Sequence, residues 1–203
     1  MNLWVTGYRS YELGVFNSKD KKVEVIKYAL QKKILEKIDE GLEWVITGAQ
    51  MGIEQWTCEV VAEMKKEYPE LKLAIMMPYS EFAGNWNEAN QESFSIRCSL
   101  ADFVGEVSKE KYKSPMQLKN YQNFMLDHTD QAMLIYDPEH EGKTKYDYEM
   151  IKKYGEQEDY PYDLVDMYQL QEFAEMYQEK HSFCFSKIYN THFYNSYFNC
   201  ISS

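Results

Sequence analysis

The sequence predicts an α/β domain of Rossmann-like type, with a mostly parallel central sheet and helices on both faces. Its 203 residues suit one domain whose core needs no disulfide or metal for stability. Short strand-like segments alternate with helical patterns along the whole chain, and this alternation is typical of parallel sheets with right-handed crossovers. The run from Leu71 to Met77 is continuously apolar, as in strands that are covered on both faces.

The elements follow in order. Apolar residues spaced by three and four from Val23 to Ile38 predict the first helix, and Gly41 ends it. Pro69 ends the second helix, and Pro115 suits the start of the fourth. The predicted strands are 3–6, 43–47, 71–77, 103–107, 131–136 and 162–165. The predicted helices are about 21–40, 52–68, 86–101, 115–128, 144–158 and 166–180.

Composition excludes several classes of protein. The net charge is −11, from 33 acidic and 22 basic residues, and the only arginines are Arg9 and Arg97. Duplex-binding proteins need a basic surface, so we expect no nucleic-acid partner. No apolar stretch approaches ~18 residues, and the chain begins directly with a strand-like segment. We therefore expect no membrane partner and a cytoplasmic location.

The cysteines do not form a metal motif. Cys58, Cys98, Cys184 and Cys200 include no CxxC pair, and no histidine has ligand spacing around them. We expect no metal and no cofactor.

The C-terminal segment 181–203 differs from the rest. It is rich in aromatic residues, and Lys187 is its only side chain with a full charge. A solvated tail would be poor in aromatic residues. We therefore divide the chain into a domain, 1–180, and an extension, 181–203. We expect the extension to pack on the domain, or to cover a subunit interface or ligand mouth, in a homo-oligomer.

Ligands of open parallel sheets bind beyond the carboxyl ends of the strands. The turn from Gly48 to Gly52 opens a helix there, where unpaired N–H groups and the helix dipole favour an anion. Glycines in such turns also serve turn geometry alone. The residues predicted to line a ligand site are Gly7, Tyr8, Arg9, Gly48, Gln50, Met51, Gly52, Glu54, Gln55, Pro78, Tyr79, Trp86, Tyr136, Asp137, Gly142, Lys143 and Thr144.

Roles for some of these residues follow from their chemistry. Arg9 and Lys143 can supply positive charge to a phosphate, although Lys143 can also be a solvated loop residue. Glu54 can bind a ribose hydroxyl or act as a general base, or it can simply favour the helix start. Asp137, at the end of a strand, is a second candidate for the functional role of Glu54, although an Asp-Pro pair there also suits a turn. Tyr8, Tyr79 and Trp86 can stack on a base or pack in the core.

Several segments together resemble the YpsA-like branch of the SLOG superfamily. They are VTGYRSYELGVFN, GLEWVITGAQMGIEQWTCEVV, EYPELKLAIMMPY, NWNEANQ, ADFV, SPMQLKNYQNFMLDHTDQAMLIYD and GEQEDYPYDLV, in colinear order over about residues 1–178. The resemblance implies a Rossmann-like fold that binds nucleotides or nucleotide-derived signals such as ADP-ribose relatives. The family's glycine-and-acid loop matches Gly48, Gly52 and Glu54.

The resemblance implies small bacterial cytoplasmic proteins linked to cell division, with similar genes in phages. Related SLOG enzymes that cleave N-glycosidic bonds carry a PGGxGT loop, but the late loop here reads EHEGKTKY. This difference favours binding without turnover. Three hypotheses follow: a protein that senses or sequesters a nucleotide signal, for instance a phage sponge against host defence; a nucleotide or nucleoside hydrolase, with Glu54 as its catalytic residue; and a regulator that acts through protein contacts.

Overall fold

The structure is a computed structural model that describes residues 1–17 and 19–185. Strands and helices alternate along these residues, apart from one short 3₁₀ helix at Ser10–Leu13. The strands are β1 (Asn2–Gly7), β2 (Trp44–Thr47), β3 (Lys72–Tyr79), β4 (Phe103–Ser108), β5 (Gln131–Ile135) and β6 (Tyr162–Val165). The α-helices are α1 (Lys21–Asp39), α2 (Ile53–Met64), α3 (Glu88–Leu100), α4 (Met116–Asp127), α5 (Lys145–Gly155) and α6 (Met167–Phe185).

The six strands form one parallel sheet in the order β4-β3-β2-β1-β5-β6, which confirms the predicted fold class. β1 is central, and its Leu3 lies opposite Val45 of β2 and Gln131 of β5. The chain leaves β1 towards β2 and later returns to the other side of β1 with β5. In open parallel sheets such a reversal of strand order forms a crevice, so we expect one beyond the carboxyl ends of β1 and β5.

The helices cover the sheet in two layers. α1 contacts α2 and α6, and α2 contacts α3, whereas α4 contacts α5. Right-handed crossovers place α1, α2 and α3 on one face and α4 and α5 on the other, and α6 packs beside α1. The core between the layers is continuous and includes fully buried Trp4, Leu30, Ile75 and Met133. We call the end of the sheet where the strands begin the amino edge and the opposite end the carboxyl edge.

Some boundaries differ from the predicted ones. α2 ends at Met64, about one turn before the predicted end at 68, and a short turn follows. The predicted loop after β1 contains the 3₁₀ helix, because Leu13 and Val15 are buried and hold it on the core. α6 extends to Phe185, past the predicted boundary at 180. Most of the predicted extension lies outside the described residues, so its packing and the homo-oligomer stay predictions.

Candidate functional site

The loops that follow β1 and β2 are joined to each other at the carboxyl edge. The N–H of Ser10 donates to the carbonyl of Met51 (3.1 Å), and the N–H of Ile53 donates to the carbonyl of Tyr8 (3.1 Å). Gly52 has φ +120°, and a Cβ there would collide with the Tyr8 carbonyl and with the Ser10 nitrogen. Glycine is therefore required for this contact between two backbones, whereas the sequence suggested an approach to a ligand.

Glu54 is buried in the first turn of α2, and the protein itself binds its carboxylate. Oε1 accepts hydrogen bonds from the Thr6 hydroxyl (3.0 Å) and from Nη1 of Arg9 (3.4 Å). Oε2 accepts from the N–H of Gln50 (2.8 Å). One amide that was expected to face a phosphate thus already binds a carboxylate, which stands where an anion is favoured at a helix start.

A second carboxylate, Asp147, reaches the same threonine from the first turn of α5. Its Oδ2 lies 3.3 Å from the Thr6 hydroxyl, and its Oδ1 accepts from the Gln122 amide (2.7 Å). The threonine hydroxyl has a single hydrogen, so it can donate to only one of the two carboxylates. Burial raises the pKa of Asp147 to about 6, while Arg9 and Gln122 oppose this shift. When Asp147 is protonated it can donate to Thr6, and Thr6 can donate to Glu54.

Arg9 is the cation of this cluster. Burial disfavours its charge, but the carboxylates of Glu54, Asp147 and Glu12 outweigh burial and raise its pKa. Within residues 1–17 and 19–185, only Nη1 of its guanidinium makes hydrogen bonds, to Glu54 and to the carbonyl of Gly7 (3.3 Å). Both bonds are long, and its side chain remains 16% exposed. Nε and Nη2 therefore keep donors available for another group.

Two further hydroxyls are buried, one beside this cluster and one just before α5. The hydroxyl of Tyr121, on α4, and that of Thr144, just before α5, have no hydrogen-bond partner in the described part of the chain. Trp4 and Arg97 carry the other such atoms, outside this cluster. Burial raises the pKa of Tyr121 well above its usual value, and Glu54 and Asp147 add to the shift. Buried unpaired polar groups destabilise a fold, so their presence here requires an explanation.

A third carboxylate, Glu12, joins the loop after β1 to the loop after β5. It accepts from the N–H of Arg9 (2.7 Å) and from the N–H of Lys143 (2.7 Å). A Cβ on Gly142 would lie 2.9 Å from the carboxylate of Glu12. The loop after β5 therefore presents its backbone to the carboxylate of Glu12, while the side chain of Lys143 remains exposed.

Tyr8, Tyr136 and Asp137 lie at the crevice, but their side chains serve the fold. Tyr8 and Tyr136 are 3% and 1% exposed, and their rings pack 5.3 Å apart, so neither offers a free face to a base. The Tyr8 hydroxyl donates to the carbonyl of Asp137 or His140 and accepts from the N–H of Asp137. The Asp137 carboxylate accepts from the N–H of Glu139 (2.8 Å), as expected for a turn.

Of the remaining predicted residues, Gly7 contacts Arg9 through its carbonyl, and the others form no hydrogen bond with Arg9 or Glu54 in the described part of the chain. Tyr79 and Trp86 belong to a half-buried aromatic cluster after β3, in which both contact Phe82. Gln55 is buried and donates to the carbonyl of Ala49. Of the other predicted residues, Gly7 and Pro78 are buried, and Met51 is half-buried.

Sequence reasoning did not find Thr6, Glu12, Tyr121, Gln122 or Asp147. Thr6 offered a signal, because it is a polar residue inside a strand that is otherwise apolar. Asp147 offered another, since it follows β5 at the start of a helix as Glu54 follows β2. Together these groups make a site with paired carboxylates, one arginine and one orphaned hydroxyl. Such a set can bind a polar ligand or move a proton.

Comparisons with known proteins agree with this architecture. Residues 3–170 match the family model YpsA, described as the YspA SLOG family. A UPF0398 protein of Ligilactobacillus salivarius is 98% identical over 183 residues, which cover 90% of this chain and 100% of that protein. UPF0398 proteins of Lactobacillus johnsonii and Leuconostoc citreum are 54% and 49% identical, over 88% of this chain and 96% and 94% of their own lengths. No helix among the described residues is long and apolar enough to cross a membrane. The chain belongs to the YpsA family of SLOG proteins.

Proposed function

We propose that this chain binds a small nucleotide-derived ligand, of the ADP-ribose type or a cyclic nucleotide, at the carboxyl edge beside Arg9. It acts as a cytoplasmic sensor or sequestering protein. Membership in a SLOG family supports nucleotide-related binding. The relative that is 98% identical comes from a bacterium, which favours a role in the bacterial cell over a phage sponge.

The incomplete pairing of Arg9 carries this proposal. Its guanidinium is held beside Glu54 at the crevice, yet only Nη1 is hydrogen-bonded within the described ranges. An arginine with free donors is suited to a phosphate oxygen, and charge-assisted bonds of this type are strong. Lys143 extends the positive charge from the loop after β5, and Trp86 and Tyr79 offer half-buried aromatic rings for a base.

Titration calorimetry with ADP-ribose and 3′,5′-cyclic AMP tests this proposal. Arg9→Ala removes the donors and should weaken binding by about tenfold to a hundredfold, since such bonds contribute about 1.5–3 kcal/mol. The alanine leaves two buried carboxylates without their cation, so folding must be checked by circular dichroism. Arg9→Lys keeps the charge without the planar fork, and we expect an intermediate loss.

Arg97 provides a matched control, because it is the other arginine of the chain. It pairs with Glu59, between α2 and α3. Arg97→Ala should lower stability and leave ligand affinity unchanged. Wild-type affinity in folded Arg9→Lys and Arg9→Ala, or no binding by the wild type, would contradict the proposal.

A nucleotide N-glycoside hydrolase is a second candidate, favoured by the pair Glu54 and Asp147. The two carboxylates share Thr6, and the pKa of Asp147 is raised to about 6 by burial, so one acid can be protonated while the other is ionised. A hydrolase would add water across the N-glycosidic bond and release base and sugar phosphate. Mass spectrometry after incubation separates the candidates: a binder returns the nucleotide intact, and Glu54→Gln abolishes release of base by an enzyme.

A further inference from the structure

Tyr121 is the least explained polar residue of the site. Its side chain projects from α4 and is 9% exposed, and its hydroxyl has no partner among the described residues. Glu54, Asp147 and Arg9 are close enough to shift its pKa, but none of them forms a hydrogen bond with it. A group that lies between this hydroxyl and the carboxylates would satisfy it.

Gly48 packs directly beside that hydroxyl. A Cβ at this position would lie 2.9 Å from the Tyr121 hydroxyl and even closer to Oε2 of Glu54. Any side chain would therefore collide with both groups, so glycine allows the Tyr121 hydroxyl and the Glu54 carboxylate to lie on the same side of this backbone. The φ of Gly48 is not in the left-handed region, so space rather than backbone conformation requires glycine here.

The surrounding charges decide which kind of group can bind between the Tyr121 hydroxyl and the carboxylates. Glu54, Asp147 and Glu12 outnumber Arg9, so a phosphate would be repelled at this depth. A phosphate oxygen also only accepts hydrogen bonds. An uncharged hydroxyl can accept from Tyr121 and donate to a carboxylate of Glu54 or Asp147, which meets the needs of both sides.

We propose that Tyr121 binds a sugar hydroxyl of the ligand, which bridges it to the Glu54 carboxylate. This inference rests on the proposed function and adds an orientation to it: the ribose enters the crevice first, and the phosphates remain outside, beside Nε and Nη2 of Arg9. Thr6 positions Oε1 of Glu54 for this contact. The two hydrogen bonds of Arg9 are long, 3.3 and 3.4 Å, so its guanidinium can turn towards the phosphates without breaking a strong hydrogen bond.

The test compares Tyr121→Phe with wild type, using AMP, ADP-ribose and the 2′-deoxy and 3′-deoxy forms of each in titration calorimetry. We expect Tyr121→Phe to bind AMP or ADP-ribose about threefold to tenfold more weakly, because one neutral hydrogen bond is lost. One deoxy form should bind both proteins equally, since it lacks the hydroxyl that meets Tyr121.

Tyr160→Phe is the matched control. The Tyr160 hydroxyl is also buried, but it is bonded to Thr129 at the amino edge, so its loss should leave nucleotide affinity unchanged. If Tyr121→Phe binds the ribose forms as wild type does, the hydroxyl holds only a water and the inference is wrong, while the proposed function stands. Equal weakening of ribose and deoxy forms would also overturn it. If wild type binds none of these nucleotides, both proposals fail.

Discussion

At the amino edge of the sheet, Asp102 accepts hydrogen bonds from Lys65 and from the N–H of Leu73, and these bonds lower its pKa although partial desolvation opposes the shift. At the carboxyl edge, Asp147 shares a single threonine hydrogen with Glu54, and burial raises its pKa to about 6. The ionised form of an aspartate is thus stabilised at the amino edge, whereas at the carboxyl edge burial disfavours it.

The tyrosines of the two edges differ in the same way. Tyr160 bonds to Thr129 close to the amino edge, whereas Tyr121 has no partner among the described residues near the carboxyl edge. Polar groups of the amino edge hold strands and loops in place. At the carboxyl edge, Asp147 and Tyr121 reduce stability, and natural proteins tolerate such costs where a site needs them. Three comparisons of stability test this contrast.

Two glycines with positive φ provide the largest expected effect. Gly52→Ala at the carboxyl edge places a Cβ against the backbone of Tyr8 and Ser10, in addition to the strain of φ +120°. We expect a loss of about 3–5 kcal/mol in the free energy of unfolding, from strain and collision together. Gly41→Ala at the amino edge has φ +92° with nothing within 4 Å of the new Cβ. Gly41→Ala should lower the free energy of unfolding by about 1–2 kcal/mol, from backbone strain alone.

Urea denaturation of both variants measures the difference. Equal losses would mean that the two joined loops separate at little cost. The glycine of the family's loop would then have no structural role, and an approach to the ligand would again be the best explanation for it.

The aspartates provide the second comparison. Asp147 has a pKa of about 6 in the folded chain and 3.8 as its ordinary value, so the folded state holds the proton more tightly. The contribution of Asp147 to stability is therefore highest below about pH 4, falls as the pH rises to about 6 and is constant above that, a total change of about 3 kcal/mol. Asp147→Asn removes this loss and keeps an amide for Thr6 and Gln122. At pH 8 it should stabilise the chain by about 1–3 kcal/mol.

The effect of Asp102→Asn on the free energy of unfolding at pH 8 should have the opposite sign. The pKa of Asp102 is lowered by its bonds to Lys65 and Leu73, so its ionised form stabilises the fold above its ordinary pKa, and this contribution is lost on acidification. The asparagine should destabilise the chain at pH 8 and have less effect near pH 3. Unfolding measured from pH 3 to pH 8 checks both variants. Destabilisation by Asp147→Asn at pH 8 would show that the two edges do not differ in this respect.

The sequence predicted the fold well because its signals are local. Apolar periodicity, Gly41 and the prolines place the strands and helices within a few residues, and alternation then determines the sheet. Arg9, Gly48 and Glu54 were predicted to lie at one edge because each follows a strand, and the structure brings them together there. Asp147 and Tyr121 were missed, because their importance comes from contacts across 141 residues with Thr6 and across helices. Tyr8 was placed correctly, but its burial depends on packing that periodicity does not describe.

The tyrosines give the smallest effect and the closest match in chemistry. Tyr160→Phe removes a hydroxyl bonded to Thr129 (2.6 Å), and Thr129 keeps its bond to the carbonyl of Met125. We expect a loss of about 1 kcal/mol in the free energy of unfolding. Tyr121→Phe removes a buried hydroxyl that has no partner in the described residues, so it should cost almost nothing or stabilise the chain slightly.

Both variants delete one oxygen from a buried tyrosine, so the difference between their midpoints of urea denaturation isolates the hydrogen bond. The measurement should be made without nucleotide, because a bound ligand would stabilise wild type and obscure the comparison. If Tyr121→Phe costs as much as Tyr160→Phe, a tightly held water already satisfies the Tyr121 hydroxyl. The carboxyl edge would then be as well paired as the amino edge. If it costs nothing, the hydroxyl is kept for something other than stability, and the nucleotide titrations decide whether that is a sugar.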